Sequence, residues 1–133
     1  FVTVEYLAAA FLDMDWHMLT TTEPVRTNEF EQKSMEKIQL IPEIVVRYRS
    51  PYFAHIFAGG YIAGYYSYIW AEVLDTDAFE AFRENGLFDQ ATAKAVRENV
   101  LERSGTDYAM PLYVKFRGRK QTIEPLLKKR GLL

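Results

Sequence analysis

The 133 residues contain no cysteine. That excludes a disulfide framework, a thiol nucleophile and a thiolate-ligated metal. Histidine is nearly absent too: His17 and His55 are the only two, and neither has the i+4 partner that a helical zinc site uses. No apolar run approaches the roughly 18 residues of a membrane span. Neither sign of charge dominates. The formal net charge is −2, with basic and acidic residues mixed along the chain, which gives no reason to expect nucleic acid or an anionic membrane as partner. Strand signals are sparse: Ile44-Val45-Val46 is a short apolar run of ambiguous type, with too little around it to build a sheet.

What is present is aromatic and helical. Apolar residues make up 49% of the chain and aromatics 15%, so a folded core is expected rather than disorder. The length suits one domain or a piece of one. The sequence opens Phe-Val-Thr, with helical periodicity under way by Leu7. This reads as a chain that starts inside a larger protein.

Periodicity and capping residues predict a series of helices. The first covers 3–19, with Leu7, Phe11, Met14 and Met18 as its apolar stripe. That face needs a partner, so the isolated piece is expected to expose apolar surface and to be able to self-associate. The second covers 29–39, opened by a capping box of Asn28 and Glu31. Ser50 and Pro51 start a short helix over 51–57. A long helix follows from Tyr61 to Glu84, with a bend allowed at Asp75-Thr76-Asp77 and a stop at Gly86. Asp89 caps a helix over 90–103, a short helix runs 111–116 to Gly118, and Thr122 caps the last, ending at Gly131. The fold class is all-α, an irregular multi-helix arrangement without a heptad repeat.

The stretch from Tyr52 to Trp70 is crowded with aromatic residues around Gly59-Gly60. On a helix, Tyr61, Tyr65 and Tyr68 fall on one face within about a sixth of a turn. Ile62, Tyr66, Ile69 and Val73 form a second, packed stripe. Two readings stand side by side. The tyrosines are amphipathic core residues with hydroxyls at the rim, or they are neutral phenol donors aimed at one point, able to hold a carbonyl or an oxyanion. His17 reads as structural, near a helix C-terminus where a protonated imidazole suits the dipole.

The run HIFAGGYIAGYYSYIWAEVLDTDAF at 55–79 resembles the C-terminal signature of a zinc metallopeptidase family that includes thimet oligopeptidase, neurolysin, oligopeptidase A and the bacterial peptidyl-dipeptidases. The likeness extends through GLFD at 86–89, NVLERSG at 99–105 and FRGRKQTIEPLLKKRGL at 116–132, and VEYLAAAFLDMDWH at 4–17 fits as well. The resemblance implies that residues 1–133 are the C-terminal helical portion of a catalytic domain in a larger zincin-type peptidase with a deep substrate channel. Short peptides are the implied substrates, and the upstream part of the same enzyme is the implied partner. Zinc is the implied cofactor of the intact parent. The family's His-Glu-x-x-His helix does not occur here, so this chain is expected to bind no metal and to be inert in isolation.

Carried over to matching positions, the resemblance implies catalytic roles for Tyr68, His55 and Tyr61 at the developing oxyanion. It implies substrate binding by Tyr65, with Gly59 and Gly60 in a loop that closes over the peptide. YRSPYFAHIF at 48–57 and the KKRGL ending lean towards a peptidyl-dipeptidase. GGYIAGYYSYIWAEVLD at 59–75 is equally like oligopeptidase A. A helical interaction module without catalysis is the alternative of another class. The cytoplasm is the expected location, with the periplasm open for the parent.

Overall fold

The computed structural model describes residues 1–133. Seven α-helices and no strand make up the chain. They run α1 (Val2–His17), α2 (Thr27–Lys37), α3 (Ala54–Phe57), α4 (Ser67–Asn85), α5 (Gln90–Val96), α6 (Ala109–Arg117) and α7 (Glu124–Lys129). A single 3-10 turn at Ser50–Tyr52 precedes α3, and a π-helical turn, Arg97–Leu101, continues α5. The chain divides into two compact units, Phe1–Tyr68 and Ile69–Leu133. No helix is long and apolar enough to cross a membrane.

The first unit is built against α1. Its buried side is not the expected stripe of large residues. Ala8, Ala9 and Leu12 are fully buried, while Phe11 is half exposed and Met18 is exposed. Three successive alanines present little bulk beyond Cβ, so Val46, Phe53, Ile56 and Tyr65 join the same core as that helix. Close packing of this kind is what a protein interior requires. At the C-terminal end of α1, the Trp16 ring lies 4.0 Å from that of Phe30 on α2. Asp15 adds polar links to α2, accepting from Ser34 Oγ at 2.7 Å and from Lys37 Nζ at 2.7 Å.

Two expected caps fail for one reason. α2 starts at Thr27 with Arg26 as an uncapped N-cap, so Asn28 and Glu31 form no capping box. Glu31 is instead buried and accepts from Ser50 N at 2.9 Å and Ser50 Oγ at 3.1 Å, with Arg49 as its ion-pair partner. Ser50 accordingly caps nothing; its hydroxyl also accepts from Trp16 Nε1 at 2.9 Å. The expected helix over 51–57 becomes a 3-10 turn and a short α3, parted at Phe53. A buried carboxylate must collect donors from wherever the fold supplies them, and here that demand overrides local capping.

The second unit holds the long helix. α4 runs unbroken through Asp75-Thr76-Asp77, with the Thr76 hydroxyl donating back to the Glu72 carbonyl at 2.7 Å. Local signals hold better here. Gly86 follows the end of α4, Asp89 caps α5 by accepting from Thr92 N at 2.6 Å, and Gly118 closes α6 in the left-handed conformation. Thr122 does not cap α7. Ile123 takes that position without a side-chain bond, and Thr122 N donates to Asp77 at 3.4 Å.

Asp77 is fully buried and organises this unit. It accepts from the Tyr113 hydroxyl, from Arg119 Nη1 at 3.1 Å and from Arg119 Nη2 at 2.8 Å. Burial pushes its carboxyl up, but the hydrogen bonds from Arg119 and Tyr113 outweigh that and bring it below the ordinary carboxylate range. Arg117 makes a two-pronged bond to Glu84 at 2.8 and 2.7 Å.

Candidate functional site

The predicted site residues all lie between α3 and the first turn of α4, within the first unit. His55 sits on α3. The chain then turns back sharply, and Tyr61 N donates to the His55 carbonyl at 3.2 Å. Glycine is obligatory at the turn. A Cβ on Gly59 would lie 2.9 Å from both Cα and O of His55, a clash with backbone that no side-chain motion relieves. Gly60 has φ +78, in the region that side chains disfavour.

The helix expected from Tyr61 begins only at Ser67. Residues 62–66 form successive turns instead, with Ala63 at φ +50. The cause is Asp13. Its fully buried carboxylate accepts from Ala63 N at 3.1 Å and from Tyr65 N at 2.8 Å. In a helix begun at Tyr61 the Tyr65 amide would bond the Tyr61 carbonyl, and its commitment to Asp13 removes that bond, while the Ala63 amide would lie in the first turn, where no intrahelical acceptor exists. The second stripe dissolves with the helix. Ile62 and Tyr66, expected to pack inward, are exposed, and only Val73 is buried as expected.

The turns still gather the predicted residues. The Tyr61 and Tyr68 rings stack with centroids 5.1 Å apart, and Tyr65 meets Tyr68 edge-on at 5.4 Å. His55 lies 6.4 Å from Tyr61 and 6.2 Å from Tyr65. The three tyrosines differ in exposure, which corrects the expectation of one open face. Tyr61 and Tyr68 are 37% and 40% exposed, whereas Tyr65 is at 4%. Tyr65 packs among Phe53, Tyr6 and Tyr48, with centroids at 5.1, 5.7 and 6.4 Å.

The Tyr68 and Tyr65 hydroxyls both titrate above the ordinary phenol value. A hydrogen bond with Tyr61, with a further push from desolvation, raises the Tyr68 hydroxyl to about 12. Burial raises Tyr65, against the opposing effect of the Arg47 charge. Arg47 itself is exposed and its guanidinium lies 5.6 Å from the centre of the Tyr48 ring.

Asp13, Arg47 and Tyr48 belong to this site and are not found by reading the tyrosine spacing. A signal for Asp13 exists in the sequence: a carboxylate at i+4 from Ala9 and i−4 from His17, on a helix face beside the alanines. His17, expected to be structural, stands against Asp13. Its Nδ1 lies 2.8 Å from the Asp13 carbonyl and 2.9 Å from Asp13 Oδ1. Both partners are acceptors, so Nδ1 carries the proton.

This all-helical chain, with its histidine, double-glycine turn and paired phenols, belongs to a family of peptidases. The family is Peptidase family M3, whose model matches residues 1–132. Among curated relatives, the dipeptidyl carboxypeptidase of Salmonella typhimurium is 42% identical over 96% of this chain and 19% of its own length. Oligopeptidase A of Haemophilus influenzae is 39% identical over 90% of this chain and 18% of its own. The probable cytosolic oligopeptidase A of Arabidopsis thaliana is 39% identical over 99% of this chain and 20% of its own. The chain thus spans about a fifth of the length of the relatives it matches. The family is zinc-dependent in general. No three His, Cys, Asp or Glu side chains among these residues stand close enough together to hold a metal, so the donor set here does not fit a zinc site.

Proposed function

We propose that this chain supplies the peptide-binding and oxyanion-stabilising wall of a metallopeptidase that releases dipeptides from the C-terminus of short peptides. The observation that carries the reading is the stacked, half-exposed Tyr61–Tyr68 pair beside His55. Hydrolysis of an amide builds negative charge on the carbonyl oxygen. A neutral phenol set in place beforehand donates to that oxygen more strongly as the charge develops. Tyr68, a neutral phenol at pH 7 whose hydroxyl turns from Tyr61 to the substrate oxygen, is the principal donor, with Tyr61 or His55 as the second. Tyr65, buried, backs the subsite and holds the pair in position. The turn at Gly59-Gly60 closes over the bound peptide.

Release of dipeptides requires recognition of a free C-terminal carboxylate. Arg47, exposed beside Tyr48, is the cation suited to it. The alternative is an endopeptidase like oligopeptidase A, favoured by 48% identity over 80 residues to that protein of Escherichia coli. Matched peptides with free and amidated C-termini separate the two in the intact enzyme. The peptidyl-dipeptidase reading expects cleavage two residues from a free end and little from an amidated one. Equal internal cleavage of both would contradict it.

A further inference from the structure

We propose that Asp13 is the positioning residue of the tyrosine wall, an inference that rests on the function proposed above. The residue lies on α1, about 50 positions before the loop it controls, and it holds that loop through backbone amides. Three donors converge on its fully buried carboxylate: Ala63 N at 3.1 Å, Tyr65 N at 2.8 Å and His17 Nδ1 at 2.9 Å.

Two of those donors are backbone amides of the turns that replace the first helical turns of the expected long helix. Ala63 sits in the left-handed region, at φ +50, which a β-carbon-bearing residue holds only when its surroundings enforce it. The tie from Ala63 N to Asp13 supplies that enforcement. Release it, and residues 61–66 are free to wind into the helix that their spacing favours. The phenols would then move. As turns, the chain buries Tyr65 and stacks Tyr61 on Tyr68; as a helix, all three would project from one face with no such stack. Asp13 therefore selects between two arrangements of the same residues, and the selected one is the arrangement that pairs the hydroxyls.

Asp13→Asn tests this at almost constant shape. The amide keeps one oxygen acceptor but turns an NH2 towards the second donor, so at most one of the two loop amides stays satisfied. In the intact enzyme, hydrogen–deuterium exchange on peptides spanning 61–67 should accelerate about tenfold or more. The kcat should fall about ten- to a hundred-fold, with KM nearly constant, because misplacement of the donors affects the transition state most. Leu126→Ala, buried in the second unit, is the comparison for simple loss of stability. At equal loss of melting temperature, it should leave exchange at 61–67 and kcat close to wild type.

Unchanged exchange in Asp13→Asn overturns the inference, as does an equal loss of kcat in Leu126→Ala. Tyr68→Phe run alongside separates this inference from the proposed function. If Tyr68→Phe retains full kcat while Asp13→Asn still frees the loop, the oxyanion reading fails and the positioning role of Asp13 stands.

Discussion

Each unit of this chain is built on one fully buried aspartate, and the two are employed differently. Asp77 in the second unit gathers side chains: the Tyr113 hydroxyl and the Arg119 guanidinium, with one weak amide bond from Thr122. Asp13 in the first gathers backbone: the amides of Ala63 and Tyr65, with a single imidazole. A carboxylate satisfied by cationic side chains pins elements together and carries its own neutralising charge. A carboxylate satisfied by loop amides dictates the path of the loop. Burial alone does not separate a structural acid from one that shapes a site; the identity of its donors does.

The largest expected effect is on the structural side of that comparison. Asp77→Ala leaves Arg119 and the largely buried Arg117 without their shared acceptor, and should destabilise the second unit by about 3–5 kcal/mol. Denaturant unfolding measures it, and a loss under about 1 kcal/mol would erase the proposed contrast. Next comes Gly59→Ala. A Cβ 2.9 Å from the His55 backbone forces the turn apart, at a cost of about 2 kcal/mol, and should lower kcat together with stability. Tyr113→Phe should be milder, about 1.5 kcal/mol, because Asp77 keeps Arg119. The smallest effect concerns pH. The Asp77 carboxyl titrates below its unfolded value of about 3.9, so the stability it contributes is complete above that pH and is lost as pH falls through the folded value. Asp77→Asn should flatten the decline in stability between about pH 4 and pH 2.

The clustering of the candidate site residues was legible from the sequence, but for an incorrect geometric reason. Tyr61, Tyr65 and Tyr68 do come together with His55, as the family resemblance implied. They do so through turns and a stack, not on a helix face, because Asp13 takes the Tyr65 amide that a helix from Tyr61 would need. No local rule reports an acceptor 50 residues away. The same cause runs through the missed caps. Asp89 and Gly118 act on their own neighbours and were legible. Ser50 is claimed by Glu31 and the Thr122 amide is drawn to Asp77, so the local signals at those positions did not describe their bonds. The packed role expected of Tyr66 failed with the helix, leaving it exposed and outside the ring cluster.

That exposure makes Tyr66 the natural control for the central claim, that the paired phenols stabilise the oxyanion. Tyr68→Phe and Tyr66→Phe in the intact enzyme, compared at matched folding and metal content, test it most directly. Tyr68→Phe should lose roughly a hundred- to a thousand-fold in kcat while KM stays within a few-fold, and Tyr66→Phe should stay near wild type. Equal losses in the two variants, or near-normal kcat in Tyr68→Phe, would contradict the account and leave the phenols as packing residues.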